Sequence, residues 1–419
     1  MTTCSKIIRM QKVALCFAGV LMGILLGPSQ SLATETNAPI ISEEDKRLLE
    51  AALISDSKYS PTETKHSATN SPKQGPFAST NPQMALILDV AGAWFSESES
   101  LQMGAHDPRA TGFTFQQLEM HLESKVDPYF EFEANVVFSR FGVEIEEAYA
   151  RTLALPHALQ VRVGQYLLPF GRLNPTHPHA WHFLDQALML GKFMGSEGGR
   201  GLGVEVSWLA PLPWYAQATL SATQPAGECC SRSFSVAANE PINGPEDLLY
   251  TGRMEQFWDV SDDWAVLLGA SGMLGENKTG LKNATFISGA DLLIRYRPLH
   301  SPLRQAFALQ FEWMQRNRQV PSDELKDAAW HLEARATWSP EWESALRWEW
   351  VEGVTNDPLD AHWTQRRIRN SGQITWHPSH FSRIRLQVAK DSPLWENDSI
   401  WSAMLGLEVV VGAHGAHSY

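Results

Sequence analysis

From Met84 to the end of the chain, apolar and polar residues alternate with a period of two, and no long stretch carries the 3.6-residue period of a helix. Successive side chains of a strand point to opposite faces, so this pattern dictates strands with one apolar and one polar side. Phe130, Phe132, Ala134, Val136 and Phe138 share a face opposite Tyr129, Glu131, Glu133 and Asn135. Phe307, Leu309, Phe311 and Trp313 stand against Gln310, Glu312 and Arg316, and Ile384, Leu386 and Val388 against Arg383, Arg385 and Gln387. The last segment lines up Trp401, Ala403, Leu405, Leu407, Val409 and Val411. About sixteen such segments fit the chain.

The connections alternate as well. Tight turns are expected at 126–128, 211–213, 261–263, 339–341 and 378–380, and longer connections at 96–111, 166–200, 224–250, 317–327, 352–364 and 391–399. Short turns on one rim and long loops on the other are the layout of an outer-membrane barrel, with turns in the periplasm and loops outside. Aromatic residues bracket the turns: Trp208 and Trp214, Trp258 and Trp264, Trp338 and Trp342, Trp376 and Phe381. Amphipathic rings at strand ends suit a membrane interface, whereas a soluble β-sandwich has no reason to ring its turns with Trp. The expected fold is therefore all-β: a transmembrane, antiparallel, up-and-down barrel over 84–419, with both termini in the periplasm. A mean hydropathy of −0.24 excludes a bundle of membrane helices but not such a barrel, because only every second strand residue need be apolar. The terminal Tyr419 suits a barrel's last strand.

The first residues read as an export signal rather than as fold. Lys6, Arg9 and Lys12 precede an apolar run over 13–26, and Ser31, Leu32 and Ala33 offer a small-residue cleavage site, so 1–33 is expected to be removed. No Cys stands at that point to take a lipid. Residues 34–80, rich in Ser, Thr, Pro and charge, read as a flexible periplasmic tail with one short helix over 42–53. Cleavage leaves 31 Lys and Arg against 47 Asp and Glu, a formal charge of −16, which argues against a nucleic-acid partner. It also leaves Cys229 and Cys230 side by side, either a vicinal disulfide or a thiol pair without chemistry.

The polar face carries the candidate site. Early segments place Glu119, Glu123, Glu131, Glu133 and Glu147 on it, and late ones Arg295, Arg297, Arg335, Arg347, Arg366, Arg369, Arg383 and Arg385. Arg366 and Arg367 are adjacent, so only one of them can point inward. If the segments close in order, an acidic wall faces an arginine wall and a transverse field crosses the lumen. The same charges could instead pair with one another and fill it. The 166–200 connection, with Gly171, Gly191, Gly195, Gly198 and Gly199, is expected to fold into or over the pore and narrow it. Within it, His177, His179, His182 and Asp185 offer imidazole and carboxylate donors that suit Zn²⁺, although the spacing matches no rigid metal motif. No cofactor is otherwise required. G-x-S-x-G, H-E-x-x-H and P-loop patterns do not occur, and Ser288, Ser371 and Ser402 have no adjacent base, so no enzyme is expected.

Two stretches and the terminus resemble a known family. Glu147-Ala148-Tyr149 followed by Val163-Gly164-Gln165-Tyr166-Leu167-Leu168-Pro169-Phe170-Gly171-Arg172 resembles the strand-to-loop region of the phosphate-selective porin superfamily. Asn174, His177-Pro178-His179, Trp181-His182-Phe183 and Asp185, with the ending Gly412-Ala413-His414-Gly415-Ala416-His417, resembles a bacterial group labelled zinc-regulated, TonB-dependent outer-membrane proteins. The resemblance implies a sixteen-stranded porin-type barrel, trimeric in the porins. It does not bring a plug domain, for which residues 34–80 are too few. The function expected is passive diffusion of small hydrophilic solutes or ions through a charged lumen. The alternatives are a zinc-related uptake protein, and an outer-membrane enzyme or adhesin with a filled barrel.

Overall fold

A computed structural model describes residues 82–140, 142–234, 241–300 and 304–412. The expected signal peptide, the 34–80 tail, the His-rich ending and Tyr419 lie outside these residues. The strands are β1 (Gln83–Phe95), β2 (Gly112–Lys125), β3 (Phe130–Ser139), β4 (Gly142–Thr152), β5 (Leu159–Leu167), β6 (Arg200–Leu209), β7 (Tyr215–Thr223) and β8 (Leu249–Asp259). They continue as β9 (Trp264–Glu276), β10 (Ala284–Tyr296), β11 (Ala306–Val320), β12 (Asp323–Ser339), β13 (Trp342–Val351), β14 (Arg367–Ser379), β15 (Ser382–Pro393) and β16 (Ile400–Gly412). Each pairs antiparallel with its sequence neighbours, and β1 closes on β16 with Asp89 opposite Glu408, so the sixteen strands form one closed barrel. Closure leaves no unpaired sheet edge.

The barrel is apolar outside and charged inside. On β6, Leu202, Val204, Val206 and Trp208 all face out and are exposed, as are Leu386 and Val388 on β15. The alternate positions of β11, Gln310, Glu312, Met314, Arg316 and Arg318, turn inward and are buried. Trp208, Trp214, Trp264, Trp338, Trp342, Trp376 and Phe381 are exposed beside the short turns. This is the reverse of a soluble protein and the arrangement a lipid-embedded barrel requires.

Most expected connections match their place in the chain. The exception is 317–327: β11 runs to Val320 and β12 starts at Asp323, leaving only two residues between them. Arg318 and Asp327 fall inside the expected connection but are ladder residues, and Asp327 lies directly opposite Arg316. Polar content there reflects an ion pair across strands rather than a loop.

The 168–199 connection folds into the lumen. It carries the helix α1 (Leu188–Phe193), every residue of which is buried. With Leu168, Phe170 and Met194 the helix packs against the inward-facing Leu249, Met273, Ile287, Met314, Ala329 and Val351, giving an apolar core inside the barrel. Glycines on the wall make room for the loop. A Cβ at Gly289 would stand 2.8 Å from the Phe170 ring, and one at Gly406 only 2.2 Å from Leu184. The neck is stitched by buried Asn174, whose amide donates to the carbonyls of Leu168 and Gly199 at 2.9 and 2.8 Å while its oxygen accepts from the Gly199 N–H at 2.6 Å.

Candidate functional site in the barrel lumen

The loop touches strands from all around the barrel, so it crosses the lumen rather than lying along one wall. Near its start the amides of Arg172 and Leu173 both donate to one Glu312 oxygen on β11, at 2.9 and 3.0 Å. His177 then reaches β4, and His179 meets Glu119 on β2 at 2.6 Å. The Leu184 amide donates to Gln387 on β15 at 2.8 Å, and the Leu188 amide to Glu349 on β13 at 2.7 Å. Lys192 ends the traverse at the Glu352 carbonyl, 2.7 Å away, and near Asp327 at 3.4 Å.

Asp185 is the central latch. Its carboxylate accepts from Arg347 at 2.6 Å and Gln387 at 2.8 Å and lies 2.9 Å from Arg369. Burial by itself would raise this carboxyl, but the guanidinium groups of Arg347 and Arg369 outweigh it and hold Asp185 below the usual carboxylate range.

The arginines expected as a bare basic wall are placed differently. Arg347, Arg369 and Arg385 face inward and are buried, while Arg335 and Arg383 are half-buried. Each has an acid beside it. Glu349 bonds Arg369 at 2.7 Å, Glu408 bonds Arg383 at 2.6 Å, and Arg385 lies 3.3 Å from Asp89. Arg335 meets Glu333 at 3.2 Å and also contacts His182. Glu349 and Glu408 sit at the facing register positions of Arg369 and Arg383, Glu333 lies two residues along β12 from Arg335, and Asp89 reaches Arg385 from β1, so this side is a lattice of ion pairs. Arg366 stands outside β14 and is exposed; Arg367, one residue on, takes the inward place and binds Asp391 through Nε and Nη2. Arg295 sits on the inner face of β10, whereas Arg297 lies past its end, exposed in the turn.

On the other side Glu119, Glu131 and Glu147 face inward and are buried, and Glu123 and Glu133 are partly exposed. Glu131 binds Arg151 at 2.7 Å. Glu146 points inward together with Glu147 because the β3–β4 register shifts at Asn135/Val136. A bulge of this kind lets two successive residues face one side.

The four side chains singled out for zinc do not converge. His177 and His179 stack at 5.6 Å and lie by the acids of β2 and β4. His182 is 3.1 Å from Glu333, and Asp185 is held by its arginines. A Pro-containing 3-10 turn, Pro178–Ala180, redirects the chain between the two pairs. Burial would lower His177, but Glu146 and Glu147 overcome it and raise the ring well above the ordinary histidine value. His182 is lowered by burial and then by Arg335.

Residues not anticipated from the sequence include Asp89, Arg253, Asp291, Asp327, Glu349 and Asp391, all buried and charged on inner-face positions, as are Glu312 and Arg316 of the expected polar face. Their alternation with apolar neighbours was the available signal. The loops beyond 168–199 also reach inward. Arg367 donates to the Leu101 carbonyl at 2.7 Å, and Arg232 binds Asp360 at 2.9 Å. Cys229 and Cys230 form a vicinal disulfide in the 224–248 connection, where the Cys229 carbonyl accepts from the Glu197 amide at 2.9 Å.

His106 ties the 96–111 loop to the neck, through the Gln116 carbonyl at 3.0 Å and Glu197 at 3.2 Å. Burial opposes its charge, but the bond and charge of Glu197, the Gln116 carbonyl and the field of Glu146 raise it to about 9. A raised histidine stabilises fully below its unfolded value near 6.5, and that contribution fades as pH rises through about 9. We therefore expect amides at 104–107 and 195–198 to lose hydrogen-exchange protection between pH 7 and about 9, after correction for intrinsic rates. In His106→Gln the protection should be lower and flat with pH; an unchanged pH profile in that variant would remove His106 as the cause.

No family model matches the chain. An uncharacterized protein of Aquifex aeolicus (strain VF5) is 29% identical over 387 residues, covering 81% of this chain and 80% of that one. Among solved structures, the outer-membrane channel DcaP of Acinetobacter baumannii matches with a TM-score of 0.53 at 12% identity, over 80% of this chain and 98% of that one. The trimer form of in-vitro folded OmpT, an outer-membrane protein of Vibrio cholerae, matches with a TM-score of 0.50 at 7% identity, over 79% and 99%. At these identities the likeness is one of fold: a sixteen-stranded porin-type barrel.

Proposed function

We propose that this chain is an exported bacterial outer-membrane channel, through which small hydrophilic solutes or ions pass by diffusion. The short turns then face the periplasm and the long loops the outside. The observation that carries this reading is the inward-folded 168–199 loop, bonded to charged side chains of both walls and set inside an apolar-coated barrel. Polar groups placed across a lumen filter by charge and size. Because the arginines of β13–β15 are matched by Glu349, Asp391, Asp89 and Glu408, the β2–β4 carboxylates dominate the field, and cations are the preferred ions. A homotrimer is the expected assembly, as OmpT of Vibrio cholerae is described in a trimer form. An enzyme is not our reading.

The test is a planar-bilayer recording of the purified mature barrel. Stepwise conductance with a reversal potential of cation sign across a KCl gradient is expected. Silence from a barrel that runs as a folded, heat-modifiable species would overturn the reading. One observation favours a filled barrel as the runner-up: helix α1 is entirely buried, as are Arg316, Arg347, Arg367 and Arg369 around it. Such a barrel would be silent at rest and conduct only once the loop is released.

A further inference from the structure

Buried lumen acids meet two kinds of partner. Asp185, Asp291, Asp327, Asp357 and Asp391 are bound by guanidinium groups. Around β2 and β4 the partners are imidazoles. His177 bonds Glu146 through Nδ1 at 3.0 Å and Glu147 through Nε2 at 2.9 Å, and His179 bonds Glu119 at 2.6 Å. An arginine stays a cation, whereas an imidazole can also serve as a metal ligand. From this juxtaposition we propose that Glu119, Glu146 and His177 form a binding site for a divalent transition-metal cation of the Zn²⁺ type.

The geometry supports it. Among the described residues these three offer one carboxylate or imidazole donor each, all within 4.8 Å of one another. Donors around a tetrahedral Zn²⁺ stand roughly 3.4 Å apart, given bonds of about 2.0–2.2 Å, so a small side-chain adjustment closes the set. Glu119 and Glu146 are 0% and 3% exposed and approach from different strands, while His177 comes from the loop. A mixed N/O set suits Zn²⁺ and its first-row neighbours better than Mg²⁺ or Ca²⁺, which take oxygen alone. Asn135 and Glu147 flank His177 and orient its ring, the usual task of groups behind a ligand. A pocket lined by His106, Glu146, Thr176, Pro178 and Glu197 adjoins the Glu146 carboxylate, one of the three donors. The site joins the loop to β2 and β4, so an occupying ion would hold this end of the loop as Asp185 holds the other.

The proposal does not depend on conduction. The barrel, purified in detergent and stripped with chelator, is titrated with ZnCl₂ by calorimetry and assayed for retained metal after gel filtration. About one equivalent is expected for wild type, with binding at least tenfold weaker in Glu146→Gln and in His177→Gln. His182→Gln, remote from the site, should bind as wild type. X-ray absorption of the wild-type zinc complex should show imidazole scattering with N/O neighbours, which keeps the test open even if a variant does not fold. Failure of wild type to retain zinc, retention unaffected by His177→Gln, or a spectrum lacking imidazole would each overturn the site. None of these results would bear on whether the barrel conducts.

Discussion

Replacing Asp185 by Ala should raise the single-channel conductance and make it noisy. The side chain lies between Arg347 and Arg369, with Gln387 as a third donor, and all four are buried. Deleting the carboxylate leaves two guanidinium groups in the lumen with Glu349 as their shared acid. Removing one member of a buried charge cluster costs about 3–5 kcal/mol, because the partners remain charged and desolvated. At about 1.4 kcal/mol per factor of ten, loop docking weakens by roughly a hundredfold to a few thousandfold. The loop should then leave the lumen for part of the time, seen as larger and fluctuating current steps. Asp185→Asn keeps an acceptor oxygen and should fall between wild type and Asp185→Ala. Current steps of wild-type size and stability in Asp185→Ala would show that the latch does not hold the loop. The pH dependence follows in sign. The folded Asp185 carboxyl is depressed, so its contribution is complete above the unfolded value near 3.8 and is lost only as pH falls through the lower folded value. Narrow conductance should therefore persist at pH 4.5.

Arg316→Leu should be the most damaging single substitution for stability among the lumen arginines. Arg316 is fully buried, binds Asp327 at 2.9 and 2.7 Å and Asp357 at 2.8 Å, and lies over the Phe193 ring at 5.2 Å. It thus joins the β11–β12 ladder to the 352–366 loop and to helix α1. Its loss strands Asp327 beside Lys192 and leaves Asp357 with Arg318. The expected cost is about 3–5 kcal/mol, read from urea unfolding followed by heat-modifiable migration, with faster proteolysis inside 352–366. Arg316→Leu combined with Asp327→Leu should recover part of the loss, since the stranded carboxylate is removed at the cost of the Lys192–Asp327 pair. A single-variant cost under about 1 kcal/mol would show that the cluster is wetter and weaker than its burial implies.

The barrel was legible because its physics is repetitive. A period of two, Trp beside the turns and alternating connection lengths all constrain the same object. The error at 317–327 has a plain cause. Asn317, Arg318, Lys326 and Asp327 look like loop residues when polarity is read along the chain, yet Asp327 is satisfied across the ladder by Arg316. The Arg366/Arg367 choice depended on where β14 begins, and a shift of one residue exchanges inside for outside. His177 to Asp185 was recognisable as a polar cluster but not as one that splits. Its path depends on the Pro178–Ala180 turn and on acids contributed by β2, β4, β12 and β13, far away in sequence. The balance of the walls was hidden for the same reason: Arg369 is basic in the sequence, and only its pairing with Glu349 and Asp185 neutralises it.

The lumen loop also imposes an order on assembly. Asp185 and Leu188 are bonded by Arg347, Glu349 and Gln387, which follow them by 162, 161 and 202 positions in the chain. Docking must await the second half of the barrel, and the final β1–β16 seam brings together the two ends of the sheet. A loop still outside when that seam closes would have to pass charged groups through a finished wall or thread in from a rim. The Asp185 and Leu188 bonds are therefore expected to form only once β13 and β15 are in place.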